Sequence, residues 1–185
     1  MMNSQVIVIE NNINESEAIS KIKKGKSGFF SKNFQEIQKI SLCFCPYWFV
    51  FCTTKINYLL RHDKKFNFKV LVEGIEGDVI ITYSLPRFKE KILINDLSEG
   101  TEVLAARISK EEAIEKTKRT ISDMILRKSF LIKDIAHNIS WVKQLYYPYW
   151  IMLVKDRKNT NKIFSINAVN GEIEPRLAYL YSQYK

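Results

Sequence analysis

The sequence predicts an α+β fold built from two tandem repeats, each a helix packed on an antiparallel sheet in the order β-α-β-β-β, over residues 1–97 and 98–185. Three collinear self-matches carry this expectation. Ile13 to Lys21 matches Ile108 to Lys116 with five of nine positions identical. Cys45-Pro46-Tyr47-Trp48-Phe49-Val50 matches Tyr147-Pro148-Tyr149-Trp150-Ile151-Met152. Val70 to Val79, ending Gly77-Asp78-Val79, matches Phe164 to Ile173, ending Gly171-Glu172-Ile173.

Each repeat opens on a candidate strand, Gln5 to Glu10 and Glu102 to Arg107, followed by a helix start. Asn14 and Ser109 are N-cap residues with Glu17 and Glu112 three places on, a capping box that satisfies amides left unpaired at a helix end. In the second repeat Ile114, Thr117, Ile121, Met124 and Ile125 recur at helical spacing to about Lys128. The first helix is shorter, with Ala18, Ile19 and Ile22 apolar and Gly25 as its stop. Strands then run from Ile37 to Cys45 and from Ile135 to Leu145 into Pro46 and Pro148. The segments beyond, Tyr47 to Thr54 and Tyr149 to Lys155, are rich in aromatic and β-branched residues. Proline lacks an amide donor, so both prolines are expected at a strand start, an edge or a bulge. Arg157 to Asn161 is a polar turn, Ile163 to Val169 a strand, and Asn170-Gly171 a tight turn needing positive φ. Val79 to Tyr83 supplies a last strand in the first repeat. In Tyr47 to Cys52 and Tyr149 to Val154 both alternation classes are apolar, so both sheet faces are expected to be covered there.

Composition agrees with a packed α+β chain. With 46% hydrophobic and 26% charged residues, six Gly, four Pro and three Cys, the 185 residues exclude a disordered, collagen-like or disulfide-scaffold protein. The formal charge of +9 divides almost evenly, +4 and +5, between the repeats, so it is no basic tail. Met1 to Asn12 has no basic flank and an apolar stretch of four residues, Val6 to Ile9, so no secretory signal is expected. The longest apolar runs, Leu42 to Cys52 and Leu145 to Val154, are eleven and ten residues, too short for a helical membrane span. Cys43, Cys45 and Cys52 form an odd, crowded set that suits free thiols in a reducing compartment, and a cytoplasmic location is expected.

Ile108-Ser109-Lys110-Glu111-Glu112-Ala113 opening a helix, with Ala168-Val169-Asn170-Gly171-Glu172-Ile173 closing the unit, resembles the PepSY family of cystatin-like domains. The resemblance covers about 65 residues of the second repeat, and Asn14 to Ile19 with Glu76 to Val79 of the first. It implies a non-catalytic module, regulatory or inhibitory, often acting on peptidases or at the cell envelope. The missing export signal and the Pro-Tyr-Trp strings depart from the family.

No catalytic, metal or cofactor site is expected. His62 sits among Arg61, Asp63, Lys64 and Lys65 in a solvated loop, and His137 stands in a strand. Three cysteines without a nearby His fall short of the four ligands of a structural zinc site. Glu73, Glu76 and Asp78 flank a hairpin where solvated charge is ordinary, and Gly25-Lys26-Ser27-Gly28 lacks the P-loop pattern. The expected role is a non-enzymatic binding or regulatory module for a protein or peptide. Its candidate surface is an aromatic sheet face carrying Tyr47, Trp48, Tyr149 and Trp150, or a cleft between the units. The same four aromatics also suit a core strand. The alternative is a nucleic-acid-binding accessory protein. Its cations are Lys21, Lys23, Lys24, Lys26 and Lys32, interleaved with Phe29 and Phe30, and Arg61, Lys64, Lys65 and Lys69.

Overall fold

Both helices begin on their capping boxes in a computed structural model, which describes residues 5–24, 34–60, 62–83, 88–93, 100–129 and 131–184. The Asn14 side chain accepts from the Glu17 amide at 2.9 Å while Glu17 accepts from the Asn14 amide at 3.1 Å, starting α1, Glu15–Lys24. Ser109 Oγ accepts from the Glu112 amide at 3.1 Å and Glu112 accepts from the Ser109 amide at 2.7 Å, starting α2, Lys110–Lys128. The backbone bond to Glu112 holds its carboxyl below the usual range, so the box stays closed in mild acid. The expected stop at Gly25 lies outside the described residues.

The strands are β1 Gln5–Ile9, β2 Phe34–Tyr58, β3 Lys64–Glu73, β4 Val79–Thr82, β5 Phe88–Leu93, β6 Glu102–Val103, β7 Ile132–Asp156 and β8 Asn161–Asn167. A third helix, α3, spans Pro175–Tyr184. β2 and β7 are each 25 residues long and run unbroken through Pro46 and Pro148. Neither proline costs the ladder a donor, because each sits where the strand changes neighbour. β2 pairs β6 in parallel at Cys43 and Phe44, then β3 antiparallel from Tyr47 onward. β7 meets β1 at Tyr146, then β8 antiparallel from Tyr149 onward. The proline carbonyls still accept, Pro46 from the Gly74 amide and Pro148 from the Ala168 amide.

This corrects the expected fold class. The chain is not two tandem helix-on-sheet repeats, each with its own antiparallel sheet. Its strands join one mixed sheet of order β4-β3-β2-β7-β1-β5, with β6 on β2 and β8 on β7. Nor do the compact units follow residues 1–97 and 98–185. One consists of residues 1–45, 87–104 and 146–185, the other of residues 46–86 and 105–145. The physical reason is an exchange of helices. In the first unit Ala18 and Ile22 of α1, from the first repeat, are buried against Met152, Val154 and Ile166, strand residues of the second. In the second unit Ala113, Ile121 and Ile125 of α2, from the second repeat, are buried against Val50, Cys52, Val70 and Val72, strand residues of the first.

The matched segments occupy equivalent places in the two units. Trp48 Nε1 donates to the Ile108 carbonyl at 2.8 Å, and Trp150 Nε1 donates to the Ile13 carbonyl at 2.8 Å. The Gly74 carbonyl accepts from the Arg107 and Ile108 amides, as the Ala168 carbonyl does from Asn12 and Ile13. Gly77 and Gly171 both have positive φ, +82° and +75°, and a Cβ on either would press on a helix lysine, Lys116 or Lys21.

Two elements escape the sequence pattern. β5 pairs antiparallel with β1. α3 buries Leu177, Ala178, Leu180 and Tyr181, and Tyr181 donates its hydroxyl to Glu102 at 2.7 Å. Proline at its first position is the available helix-start signal.

The tryptophan bonds tie each helix entry to its strand, so Trp48→Phe and Trp150→Phe, which keep the ring and lose the donor, are expected to cost about 1–2 kcal/mol each. Urea unfolding measures the loss, and a cost below about 0.5 kcal/mol in both refutes the tie.

Candidate functional site

The aromatic string that marks the repeats is largely interior. Tyr47 and Tyr149 are buried, and the half-buried Trp48 and Trp150 spend their indole donors on the helix entries. The two tyrosines are thus covered, and the two tryptophans keep part of their surface exposed. The basic stretches are divided between the units. Lys21 and Lys23 are exposed on α1 of the first unit, whereas Lys64 and Lys65 are exposed at the start of β3 in the second. Lys24 ends α1, and Lys26, Lys32 and Arg61 lie outside the described residues.

The acidic residues near the first hairpin have a structural explanation. Glu73 is buried, and its carboxylate accepts from the amides of Ile75, Glu76 and Gly77 at 2.7, 2.6 and 3.3 Å. In the other unit the Asn167 side chain does the same for Val169 at 2.9 Å and Asn170 at 3.4 Å. Both groups close the turn after a strand.

His137 occupies a place the sequence does not reveal. Its Nδ1 lies 2.9 Å from Thr54 Oγ1 on β2 and its Nε2 lies 2.7 Å from Ser122 Oγ on α2, so the ring bridges sheet and helix. Cys52 Sγ stands 3.9 Å from the same Nδ1. A cysteine or serine beside a histidine has the residue types of a nucleophile and its base. The electrostatics are those of a packed interior instead. Burial pushes the Cys52 thiol up, and burial, followed by the Lys118 charge, pushes His137 down. The thiol thus keeps its proton, and the group behind the imidazole is the Thr54 hydroxyl rather than a carboxylate. None of Cys43, Cys45 and Cys52 forms a disulfide, and all three are buried. Among the described residues no group of three or more His, Cys, Asp or Glu is placed to hold a metal ion.

A concavity is present in the second unit. It has a volume of about 520 Å³ and lies where α2 ends over the outer parts of β2, β3 and β4. Even-numbered residues of β3 face α2: Val70 and Val72 are fully covered, Phe68 is half-buried, and Phe66 and Lys64 emerge beyond the helix. Ile56 and Tyr58 of β2, Ile81 and Met124 complete an apolar floor, with Tyr83, 96% exposed, at one margin. Lys64 and Lys128 line it with exposed ammonium groups, and Lys69, also at its wall, donates to the Tyr83 carbonyl at 3.5 Å.

The concavity follows from a difference in hairpin length. β2 continues ten residues beyond Trp48, whereas β7 ends six residues beyond Trp150. The shorter hairpin is closed by Asp156, whose carboxylate accepts from the Lys158 and Thr160 amides at 2.9 Å each and pairs with Lys162 at 3.1 Å. The Thr160 amide and the Lys162 ammonium hold that carboxyl below the usual range. Where the long hairpin has Phe68 and Phe66, register places Lys162 and Thr160 in the short one.

The chain matches no protein-family model, no curated protein and no solved structure. Among the described residues no helix is long and apolar enough to cross a membrane.

Because His137 is held neutral in the fold and regains its ordinary affinity near pH 6.5 on unfolding, the unfolded chain takes up the proton first. Stability contributed by the neutral ring is present above pH 6.5, falls as pH drops toward the lowered folded-state value, and levels off below it. Thermal melts between about pH 5 and 8 are expected to show this loss, and His137→Gln to remove it. Parallel profiles for the two proteins overturn the bridge.

Proposed function

We propose that the chain is a non-enzymatic binding module whose ligand is an amphiphile with an alkyl body and one anionic head. The single observation that carries this reading is the concavity of about 520 Å³ with apolar side chains on its floor and Lys64 and Lys128 at its rim. Ligand sites are concave, mostly apolar and marked by a few charged groups that fix orientation. Much of the lining fits that description: Phe66, Phe68 and Ile81 supply surface that water solvates poorly, Lys64 and Lys128 supply a counter-charge, and Asn67, Thr82 and Ser129 add polar groups. The second support is comparative. The first unit repeats the helix entry, the tryptophan bond and the closing turn, yet replaces the two phenylalanines by Lys162 and Thr160. Phe68 and Ile81 also pack on the core under α2, whereas Phe66, 42% exposed, reaches past it, and binding is the use that open part suits.

Calorimetry with decanoate and palmitate, each below its micelle concentration, tests the reading. One saturable site is expected, with Met124→Trp filling the floor and abolishing the heat while leaving the thermal melt in place. Lys64→Ala and Lys128→Ala are each expected to weaken binding about two- to fivefold, the size of an exposed ion pair. Absence of a saturable site, or binding indifferent to Met124→Trp, overturns it. So does preference for an acidic peptide over both carboxylates.

A further inference from the structure

The far end of the second unit carries four leucines that do not line the cavity, near Lys64 and Lys128, which do. The connection from β2 to β3 begins Leu59-Leu60, α2 closes with Leu126 in its last three residues, and Leu131 opens the segment before β7. All four leucines are more than half exposed, Leu60 most of all at 78%. They belong to one structural end, because the Leu59 amide donates to the Leu131 carbonyl at 2.9 Å and Tyr58 and Ser129 line the same concavity. Leu131 has φ +67°, a left-handed conformation that costs a leucine energy and here brings its side chain out rather than in. Exposed Lys64, Lys65, Arg127, Lys128 and Lys133 flank these residues in sequence. Of the described acids flanking the leucines in sequence, Asp63 is engaged by Lys55 at 2.9 Å, leaving Asp123 and Asp134 against five cations.

We infer that this end of the unit docks on an anionic lipid bilayer, with the leucines entering the headgroup boundary and the cations meeting lipid phosphates and carboxylates. Charge complementarity argues for the occupant: apolar residues flanked by lysine and arginine match a surface that is apolar in depth and negative at its face. Geometry and residue type argue against a protein in its place. The leucines sit on a hairpin tip, the last turn of α2 and a loop rather than in a groove, and protein hot spots favour Trp, Tyr and Arg while under-using Leu. A bilayer demands no shape complementarity and takes up aliphatic tips directly. Docking stands apart from the cavity reading, since it needs no ligand in the concavity.

Vesicle flotation of the full chain, with no added amphiphile, tests the inference. On vesicles of phosphatidylcholine with about 30 mol% phosphatidylserine at about 0.1 M salt the chain is expected to float. Binding is expected to fall at least about tenfold on pure phosphatidylcholine and again in about 0.5 M salt, where screening shortens electrostatic reach. Leu59→Ser/Leu60→Ser and Lys64→Glu/Lys65→Glu are each expected to lose at least about tenfold in binding with an unchanged melting temperature. Met124→Trp is expected to float like the unaltered chain, which separates this result from failure of the cavity reading. Absence of flotation overturns docking. Flotation that survives both tip variants, or self-association through the tip without vesicle binding, also overturns it.

Discussion

Each compact unit depends on a helix from one repeat being held to strands of the other, and the indole bonds mark where that hold begins. Trp48 reaches the Ile108 carbonyl and Trp150 the Ile13 carbonyl, in both cases the residue just before the helix cap. The donor fixes the helix entry, the capping box fixes the first turn, and the apolar stripe of the helix then has one sheet surface within reach. Val70 and Val72 or Met152 and Ile166 lie there, fully buried. Removing either helix from its exchanged position exposes that surface and leaves a half-buried indole without its acceptor. The exchange is thus maintained by both the apolar and the polar terms.

This dependence also explains what the sequence makes legible. Asn14 with Glu17 and Ser109 with Glu112 announce the helix starts because a cap is satisfied within four residues. Gly171 announces its turn because positive φ is a property of one residue. The partner of each helix is a different kind of information. Ala18 and Ile22 fit any apolar sheet of suitable width, and nothing in the stripe of α1 distinguishes Val70 from Ile166. Tandem repeats therefore suggest tandem domains, whereas 25-residue strands that continue through Pro46 and Pro148 carry each chain segment from one unit into the other. The prolines misdirect for a related reason: a missing amide breaks a strand only where a neighbour needs it, and here the neighbour changes.

The aromatic residues show the same limit at the level of the site. Tyr47 and Tyr149 are as apolar-faced as any interface residue, and burial alone decides that they are core. Phe66 and Phe68 carry no special motif, yet they become the floor of a concavity because α2 stops at Lys128 before β3 does. A cavity made by the mismatch of two element lengths has no local signature. Its trace in the sequence is comparative: aligned through the paired tryptophans, the second repeat has Asp156, Thr160 and Lys162 where the first has Thr54, Phe66 and Phe68.

That comparison separates what the scaffold requires from what it tolerates. Asp156 ends the first unit's hairpin with two backbone amides and a lysine, so its strands stop while still covered. Thr54 stands at the corresponding position of β2 and instead bonds to His137, which passes the constraint to Ser122 of α2 and lets the strands run on. The polar group that closes one hairpin is thus replaced by one that braces a helix across the other. With the helix braced by His137 of β7, the β3 and β4 strands, from Phe66 to Tyr83, carry apolar surface left partly open where α2 ends. Ile56, Tyr58, Phe68, Ile81 and Met124 still pack with the core under α2, so the open part of that surface is the rim of the core around Phe66 and Tyr83, beside Lys64 and Lys128.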